Sequence, residues 1–387
     1  MSDALPPPPP PPPNAPPQSL PPFPGSPRPR RSRGPWIALA VVLAGGGLAV
    51  LLLILGLSAW LGDSGLGRVG GSGRRGANEL VEVVLERQRT SDKIAVIPVQ
   101  GIIGSGTRSG AADGLPGAIQ DQLDRIARDP AIRAVILRVD SPGGEVLASD
   151  EIHNALQHFQ TNRDIPVVAC MGSLAASGGY YVSAPCRWIV AHPLTLTGSI
   201  GVIFHGYNYR GLMDKIGIRP DIVKSGKLKD MFSGELRPGE EQPEEKAILR
   251  ELVSESFQRF KQVVREGREW AHRQNAANSD DSGRPLAENW EEFADGRILS
   301  GNQALALGLV DELGGMGTAL ARARSLAGIP RATVVSFQSP PRFCDLFPLP
   351  IAGASAREPV SVRLDGLPTL PPLPEGRLLY LSPLHVP

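Results

Sequence analysis

Residues 132–144 read IRAVILRVDSPGG, a nearly uninterrupted run of branched apolar residues that ends in a glycine turn. Such a run is typical of a strand in a parallel sheet that is covered on both faces. A second run of the same design, IPVVACMGSLAASGG, occupies residues 165–179, and residues 149–160 between the two have helical spacing. The two runs therefore predict a β-α-β unit whose glycine turns lie on the same edge of one sheet.

Strands and helices continue to alternate on both sides of this unit. Further strands are predicted at residues 93–103, 188–191, 199–204, 221–224 and 333–337. Further helices are predicted at residues 119–128, 179–184, 209–216, 244–270, 302–307 and 318–326. This alternation predicts one α/β domain, residues 80–338, with a parallel sheet and crossover helices.

The composition of the chain argues against several classes of protein. Its 40 Lys and Arg residues balance 39 Asp and Glu residues, which gives no reason to expect a nucleic-acid partner. Three cysteines are too few for a disulfide scaffold. The histidines and cysteines lack metal-ligand spacing and no GxxxxGK[ST] loop occurs, so we expect neither a metal nor a cofactor.

Both ends of the chain are rich in proline. Pro6 to Pro13 follow one another without a break, and residues 1–34 are therefore predicted to form a disordered tail. Residues 339–387 mix prolines with isolated leucines and have no helical period. We expect this second region to be an extended tail.

A long uncharged segment separates the first tail from the domain. No charged residue occurs from Pro35 to Gly62, and about 20 such residues span a bilayer. Residues 35–61 are therefore predicted to be a transmembrane anchor, with a cleaved signal peptide as the alternative. Four arginines precede the segment, which predicts a cytoplasmic N-terminus. The glycine-rich linker, residues 62–79, would then lead to a domain outside the cytoplasm.

Ser177 lies in the second glycine turn, at the predicted start of a helix. A serine there either caps the helix or acts as a nucleophile that a sharp turn holds exposed. A nucleophilic serine needs a base, and arginine cannot supply one because it stays charged. His192 and His205 are candidates, as are the lysines of VKSGKLKD, residues 223–230. The residues by themselves leave this choice open.

Several segments together resemble the signal peptide peptidase A family, serine peptidases of family S49 whose fold is similar to those of Clp protease and crotonase. The matching segments are RVDSPGGEV (138–146), MGSLAASGGYYVSA (171–184), TGSIGVI (197–203), SGKLKD (225–230) and ADGRILSGNQALALGLVDELGG (294–315). They occur in the order that the family has. The chain carries one copy of the domain, similar to the short form of the family.

The resemblance implies a catalytic Ser–Lys dyad. Its nucleophile falls on Ser177 and its general base on Lys229, the last lysine of GKLK, while Lys227 is the neighbour that a shifted alignment would select. The oxyanion hole falls on the backbone N–H groups of Gly144 and Gly178, with Gly143 as the second choice for the former. Neither candidate histidine stands in a matching motif.

The resemblance and the predicted anchor together imply a serine endopeptidase of the bacterial inner membrane that hydrolyses cleaved signal peptides. They also imply a ring-like homo-oligomer in which serine and lysine meet across a subunit boundary. One alternative is a broader quality-control peptidase for membrane proteins that uses the same dyad. Another is an inactive oligomeric scaffold. A crotonase-like acyl-CoA enzyme is disfavoured, because CoA is cytoplasmic.

Overall fold

The computed structural model describes residues 80–106, 114–237, 239, 243–278, 281–339 and 378–381. The predicted N-terminal tail, the anchor at 35–61 and the linker at 62–79 lie outside these residues, as does most of the C-terminal tail. No helix among the described residues has the length and apolarity needed to cross a bilayer.

The described residues form a mixed α/β structure. The strands, in chain order, are β1 (Val81–Glu86), β2 (Lys93–Gln100), β3 (Ile132–Ser141), β4 (Gly143–Glu145), β5 (Val167–Ala176), β6 (Trp188–Ala191), β7 (Leu196–Gly198), β8 (Ile203–Phe204), β9 (Ile298–Ser300), β10 (Glu312–Leu313), β11 (Thr333–Gln338) and β12 (Leu378–Leu381). The helices are α1 (Gly114–Ile126), α2 (Val146–Arg163), α3 (Gly178–Ser183), α4 (Arg210–Ile216), α5 (Pro243–Asn278), α6 (Gly301–Ala306) and α7 (Met316–Leu326), and a 3₁₀ turn occupies Trp290–Phe293.

Nine strands form the large sheet, in the order β1-β11-β2-β3-β5-β6-β10, with β7 beside the end of β5 and β9 beside β7. All neighbours in it are parallel except β1 with β11 and β7 with β9. Strands β4, β12 and β8 form a second, antiparallel sheet.

Helices cover the large sheet on both faces, as the apolar runs predicted. On β3, Val135 and Leu137 belong to the larger of two core clusters, and Ile136 between them belongs to the smaller. The larger cluster includes apolar residues of α1, α2 and α5, and the smaller one includes Ala319 and Ala323 of α7. Strands that are buried on both faces have no polar side, which is why the sequence of β3 does not alternate.

Predicted and observed bounds differ by a few residues at several elements, and three differences are larger. Residues 221–224 form no strand, and Val223 is 96% exposed, because a β-branched segment without a sheet neighbour has nothing to pair with. The strand predicted at 199–204 is reduced to β8, after a break that follows Gly198. The long helix α5 extends beyond its predicted end at residue 270 to Asn278.

A buried ion pair links helix α5 to the residue that precedes strand β10. The side chains of Arg268 and Asp311 are each 1% exposed and form a salt bridge. Arg268 also donates to the carbonyl oxygen of Cys186 at 2.9 Å, and Asp311 accepts from the backbone N–H of Ile189 at 2.8 Å. Each charge is therefore compensated only while its partner remains in place.

We predict that Arg268→Ala lowers the free energy of unfolding by about 3–5 kcal/mol, because it leaves the Asp311 carboxylate buried without its cation. The matched control is Arg273→Ala on the same helix, whose exposed pair with Glu269 spans 3.6 Å. Arg273→Ala should lower the free energy of unfolding by less than about 0.5 kcal/mol. Urea unfolding followed by tryptophan fluorescence measures both, and equal losses would contradict the prediction.

Candidate active site

The two glycine turns meet at one edge of the large sheet, as predicted. Strands β3 and β5 are parallel neighbours, so their carboxyl ends lie side by side. A Cβ atom built on Gly178 would lie 3.1 Å from both the Cα of Gly143 and the backbone nitrogen of Gly144. The backbone of the first turn therefore touches the residue that follows Ser177.

Ser177 has a backbone conformation that is unusual for a residue with a side chain. Its φ is 55° and its ψ is −118°, and helix α3 begins at the next residue. The backbone is held there on both sides, because Ser177 N donates to Gly198 O at 2.8 Å and Tyr181 N donates to Ser177 O at 2.9 Å. Strain of this kind costs about 1–3 kcal/mol and is concentrated at functional sites.

The side chain of Ser177 does not cap helix α3. The residue is 1% exposed, and its Oγ has no hydrogen-bond partner among the described residues. A buried hydroxyl without a partner costs about 1–3 kcal/mol. The capping interpretation therefore fails. The other interpretation, a nucleophile that the turn holds exposed, differs from the structure in one respect, because the hydroxyl is buried in the single chain.

The glycines beside Ser177 are required by close contacts. A Cβ atom on Gly144 would lie 1.9 Å from the carbonyl oxygen of Ile103, and one on Gly179 would lie 2.7 Å from the carbonyl oxygen of Ser141. Both contacts are far shorter than van der Waals distance. A side chain at position 179 would push the two turns apart, and one at position 144 would push the first turn away from Ile103.

Hydrogen bonds separate the two candidates for the first oxyanion donor. The N–H of Gly143 already donates to Ser141 Oγ at 3.1 Å, and Ser141 Oγ in turn donates to Gly101 O at 2.6 Å. Gly144 has no such bond within its own turn and pairs with Tyr380 of β12 instead, which makes it the better candidate of the first turn. Gly178 opens helix α3, and the first N–H groups of a helix lack intrahelical acceptors. The sequence did not identify Ser141 as the residue that positions this turn.

The three clustered lysines have different surroundings. Lys224 Nζ contacts Asp230 Oδ1 at 2.7 Å, and Lys227 Nζ contacts Glu244 Oε2 at 2.7 Å. Lys229 is exposed, and within the described residues its amine has neither a hydrogen bond nor an ion pair. Because Ser177 Oγ has no partner there, the structure does not bring Ser177 and Lys229 into contact within one chain.

Among the described residues, no histidine is hydrogen-bonded to Ser177 Oγ. His192 Nδ1 accepts from Leu194 N at 3.2 Å, and the ring of His205 packs against Tyr207. His153, which the sequence analysis did not single out, is buried on α2 and packs edge-on against Tyr181. Burial lowers the pKa of His153 to about 4, so its ring is neutral at pH 7. No group of three His, Cys, Asp or Glu side chains in the described ranges could hold a metal ion.

A short strand of the C-terminal tail lies beside these turns. In β12, Tyr380 pairs with Gly144 and Leu381 pairs with Gly143, antiparallel to β4. On its other edge, Leu378 pairs with Phe204 of β8. The proline-rich composition of residues 339–387 predicts an extended tail but not its position.

The chain is similar in sequence to known peptidases. Residues 160–330 match the model of "Peptidase family S49". The chain is 37% identical over 267 residues to a putative signal peptide peptidase SppA of Enterococcus faecium, an alignment that covers 68% of this chain and 72% of that protein. It is 40% identical over 240 residues to a putative protease of Synechocystis sp.; this alignment covers 62% of this chain and 76% of that protein. It is 33% identical over 258 residues to protease 4 of Salmonella typhi; this alignment covers 66% of this chain and 38% of that protein.

We predict that Ser177→Gly unfolds with a free energy about 1 kcal/mol higher than Ser177→Ala, because glycine adopts the φ of 55° without strain. The control is Ser173, an exposed residue of β5 whose φ is negative. At Ser173 the alanine variant should be more stable than the glycine variant, since glycine weakens an ordinary strand. Chemical denaturation of the four variants measures this, and a less stable Ser177→Gly would argue against backbone strain at the turn.

Proposed function

The chain belongs to peptidase family S49 and is a serine peptidase, and from that premise we propose that Ser177 is its nucleophile and Lys229 its general base. The observation that carries the proposal is the buried, unpartnered Oγ of Ser177 at a strained turn between two glycine-rich segments. A hydroxyl in that position gains a partner only when a base and a substrate arrive.

In this proposal the reaction uses these two side chains and the glycine N–H groups in turn. Ser177 Oγ attacks the carbonyl carbon of the scissile peptide bond while the neutral amine of Lys229 accepts the hydroxyl proton. The N–H groups of Gly144 and Gly178 stabilise the negative charge that develops on the carbonyl oxygen. Lys229 then returns the proton to the leaving amine, and water hydrolyses the acyl-enzyme by the reverse sequence of proton transfers.

We further propose that Lys229 reaches the serine of a neighbouring copy. Lys229 is exposed and has no intrachain partner within the described residues. The same region exposes apolar surface, since α4 buries none of its residues and Leu212 and Ile216 are 56% and 60% exposed. A second copy packed on this surface would cover the apolar residues and deliver the amine. Head-to-tail repetition of that contact closes a ring.

The proposed substrates are cleaved signal peptides, which are apolar and extended. In this proposal residues 35–61 anchor the chain in the bacterial inner membrane, with the N-terminus in the cytoplasm and the domain outside. The domain keeps the Clp protease and crotonase type of α/β fold that the resemblance implies. Placement beside the bilayer brings the serine close to peptides that membrane insertion leaves behind.

Lys229→Ala is expected to lower kcat/KM on a synthetic signal peptide by at least about 100-fold, because general base catalysis is lost. Lys227→Ala is the matched control, since its amine pairs with Glu244 at the surface, and it should stay within about twofold. The assay uses the full chain in detergent, with Ser177→Ala as the inactive reference. Retained turnover in Lys229→Ala, or loss in Lys227→Ala, would contradict the assignment of the base.

Inactive Ser177→Ala and Lys229→Ala chains should rescue each other when they are unfolded and refolded together. In an equal mixture, roughly a quarter of the sites would combine an intact serine with an intact lysine from a neighbour. Peptide cleavage by the mixed oligomers is the measurement. Zero recovery, with mixed oligomers shown to have formed, would overturn the shared site and leave the Ser–Lys dyad standing.

A further inference from the structure

The first glycine turn is held along one edge by residues 101–105, the segment that follows β2. Ile103 N donates to Gly143 O at 2.8 Å, and Glu145 N donates to Ile103 O at 2.8 Å. Ile103 and Gly144 therefore form a parallel bridge. A Cβ atom on Gly144 would lie 1.9 Å from Ile103 O, so the segment and the turn are in direct backbone contact.

This contact fixes the direction of the Gly144 N–H group. Neighbouring residues of an extended strand direct their backbone N–H and C=O groups to opposite edges. Gly143 O and Glu145 N both face Ile103, so the N–H of Gly144 faces the other edge. The second turn lies close to this group, since a Cβ on Gly178 would lie 3.1 Å from Gly144 N.

Ser141 joins the segment to the turn. Its side chain is fully buried, and its Oγ accepts from Gly143 N at 3.1 Å and donates to Gly101 O at 2.6 Å. Gly101 N donates in turn to Asp140 O at 3.0 Å. A hydroxyl can make both of these side-chain bonds because it accepts and donates at the same atom.

A second set of hydrogen bonds holds the far end of the segment. The backbone N–H and the hydroxyl of Ser105 donate to Glu145 Oε2, at 3.2 and 2.9 Å. Glu145 is 8% exposed, and hydrogen bonds to a carboxylate are stronger than those between neutral groups. The segment is therefore tied to the turn at both ends.

We propose that Ser141 is a positioning residue of the oxyanion hole, a proposal that rests on the peptidase function proposed above. Its hydroxyl occupies the N–H of Gly143, and it holds in place the segment that directs the N–H of Gly144. The developing oxyanion then accepts from Gly144 and Gly178. Ser141 touches neither the substrate nor the reacting atoms and acts through the backbone of the turn.

A role of this kind has a kinetic signature. The oxyanion forms only as the reaction proceeds, so a misplaced N–H group weakens binding of the transition state and leaves binding of the substrate unchanged. Loss of the Ser141 hydroxyl should therefore lower kcat and leave KM nearly unaltered. A loss of stability alone would reduce the amount of active protein without changing its affinity for a transition-state analogue.

The test compares Ser141→Ala with Ser336→Ala in the full chain, in detergent, on a synthetic signal peptide. Ser336 is also a buried serine, and its strand β11 is not a neighbour of β3 or β5. In Ser141→Ala, kcat should fall at least about tenfold while KM stays within about twofold. Ser336→Ala should keep both constants within about twofold of those of the unaltered chain.

A peptide boronic acid of the same sequence gives the second measurement. Its boron bonds to the serine oxygen and places a boronate oxygen in the oxyanion hole, so it resembles the transition state. Its inhibition constant should rise in Ser141→Ala by the factor by which kcat/KM falls. This constant does not depend on how much of the protein is folded.

Ser141→Thr and Ser141→Val separate the hydroxyl from the packing of the side chain. Threonine and valine have nearly the same shape and differ in the hydroxyl, so Ser141→Thr should keep a kcat at least about fivefold above that of Ser141→Val. This pair also decides the matter if Ser141→Ala is too unstable to purify.

Equal kcat values in the threonine and valine variants would overturn the inference. A Ser141→Ala chain with unaltered kcat and inhibition constant, or one changed in KM alone, would overturn it as well. In each of these cases the unaltered chain still cleaves the peptide, and the proposed function stands. If the unaltered chain cleaves no peptide, the proposed function fails and the role of Ser141 fails with it.

Discussion

The close approach of two backbone turns is the constraint on which the active site depends. Gly179 has no room for a side chain, because its Cβ would lie 2.7 Å from Ser141 O, and a Cβ on Gly178 would lie 3.1 Å from both Gly143 Cα and Gly144 N. This contact requires β3 and β5 to end together, which parallel pairing in a doubly covered sheet provides. The glycines, the parallel sheet and the position of Ser177 are therefore parts of one arrangement.

The strain at Ser177 is tolerated because helix α3 is anchored around it. All six residues of α3 are buried, and Tyr180 OH donates to the carbonyl oxygen of Leu309 at 2.8 Å. Tyr181 OH donates to Asp150 at 2.5 Å, and the ring of Tyr181 packs against Phe260 of α5. These contacts compensate a cost of a few kcal/mol, so the serine stays in a conformation that it would not adopt alone.

The sequence predicted what depends on local pattern. Apolar runs and glycine turns are local, so β3, β5 and the meeting of their turns followed from residues 132–144 and 165–179. Strand β12 could not be predicted, because it has no periodicity and its partners are the short strands β4 and β8 far away in the chain. Such pairing is decided by the assembled fold.

Both the sequence resemblance and the structure bear on the choice of the general base. Three lysines within six residues are equivalent by composition, and only the resemblance selected Lys229. The structure adds a physical difference, since Asp230 and Glu244 pair with the other two lysines. The contact with a neighbouring copy, which would complete the site, cannot be predicted from the local pattern of one chain.

Labelling of the full chain with a serine-reactive phosphonate, followed by peptide mapping, tests the central claim most directly. A phosphonate bonds stoichiometrically only to a serine that its surroundings make nucleophilic. Modification of Ser177 alone, abolished by Lys229→Ala, is the predicted result. Modification of another serine, or unchanged labelling without Lys229, would contradict the claim that this strained, buried serine and this lysine act together.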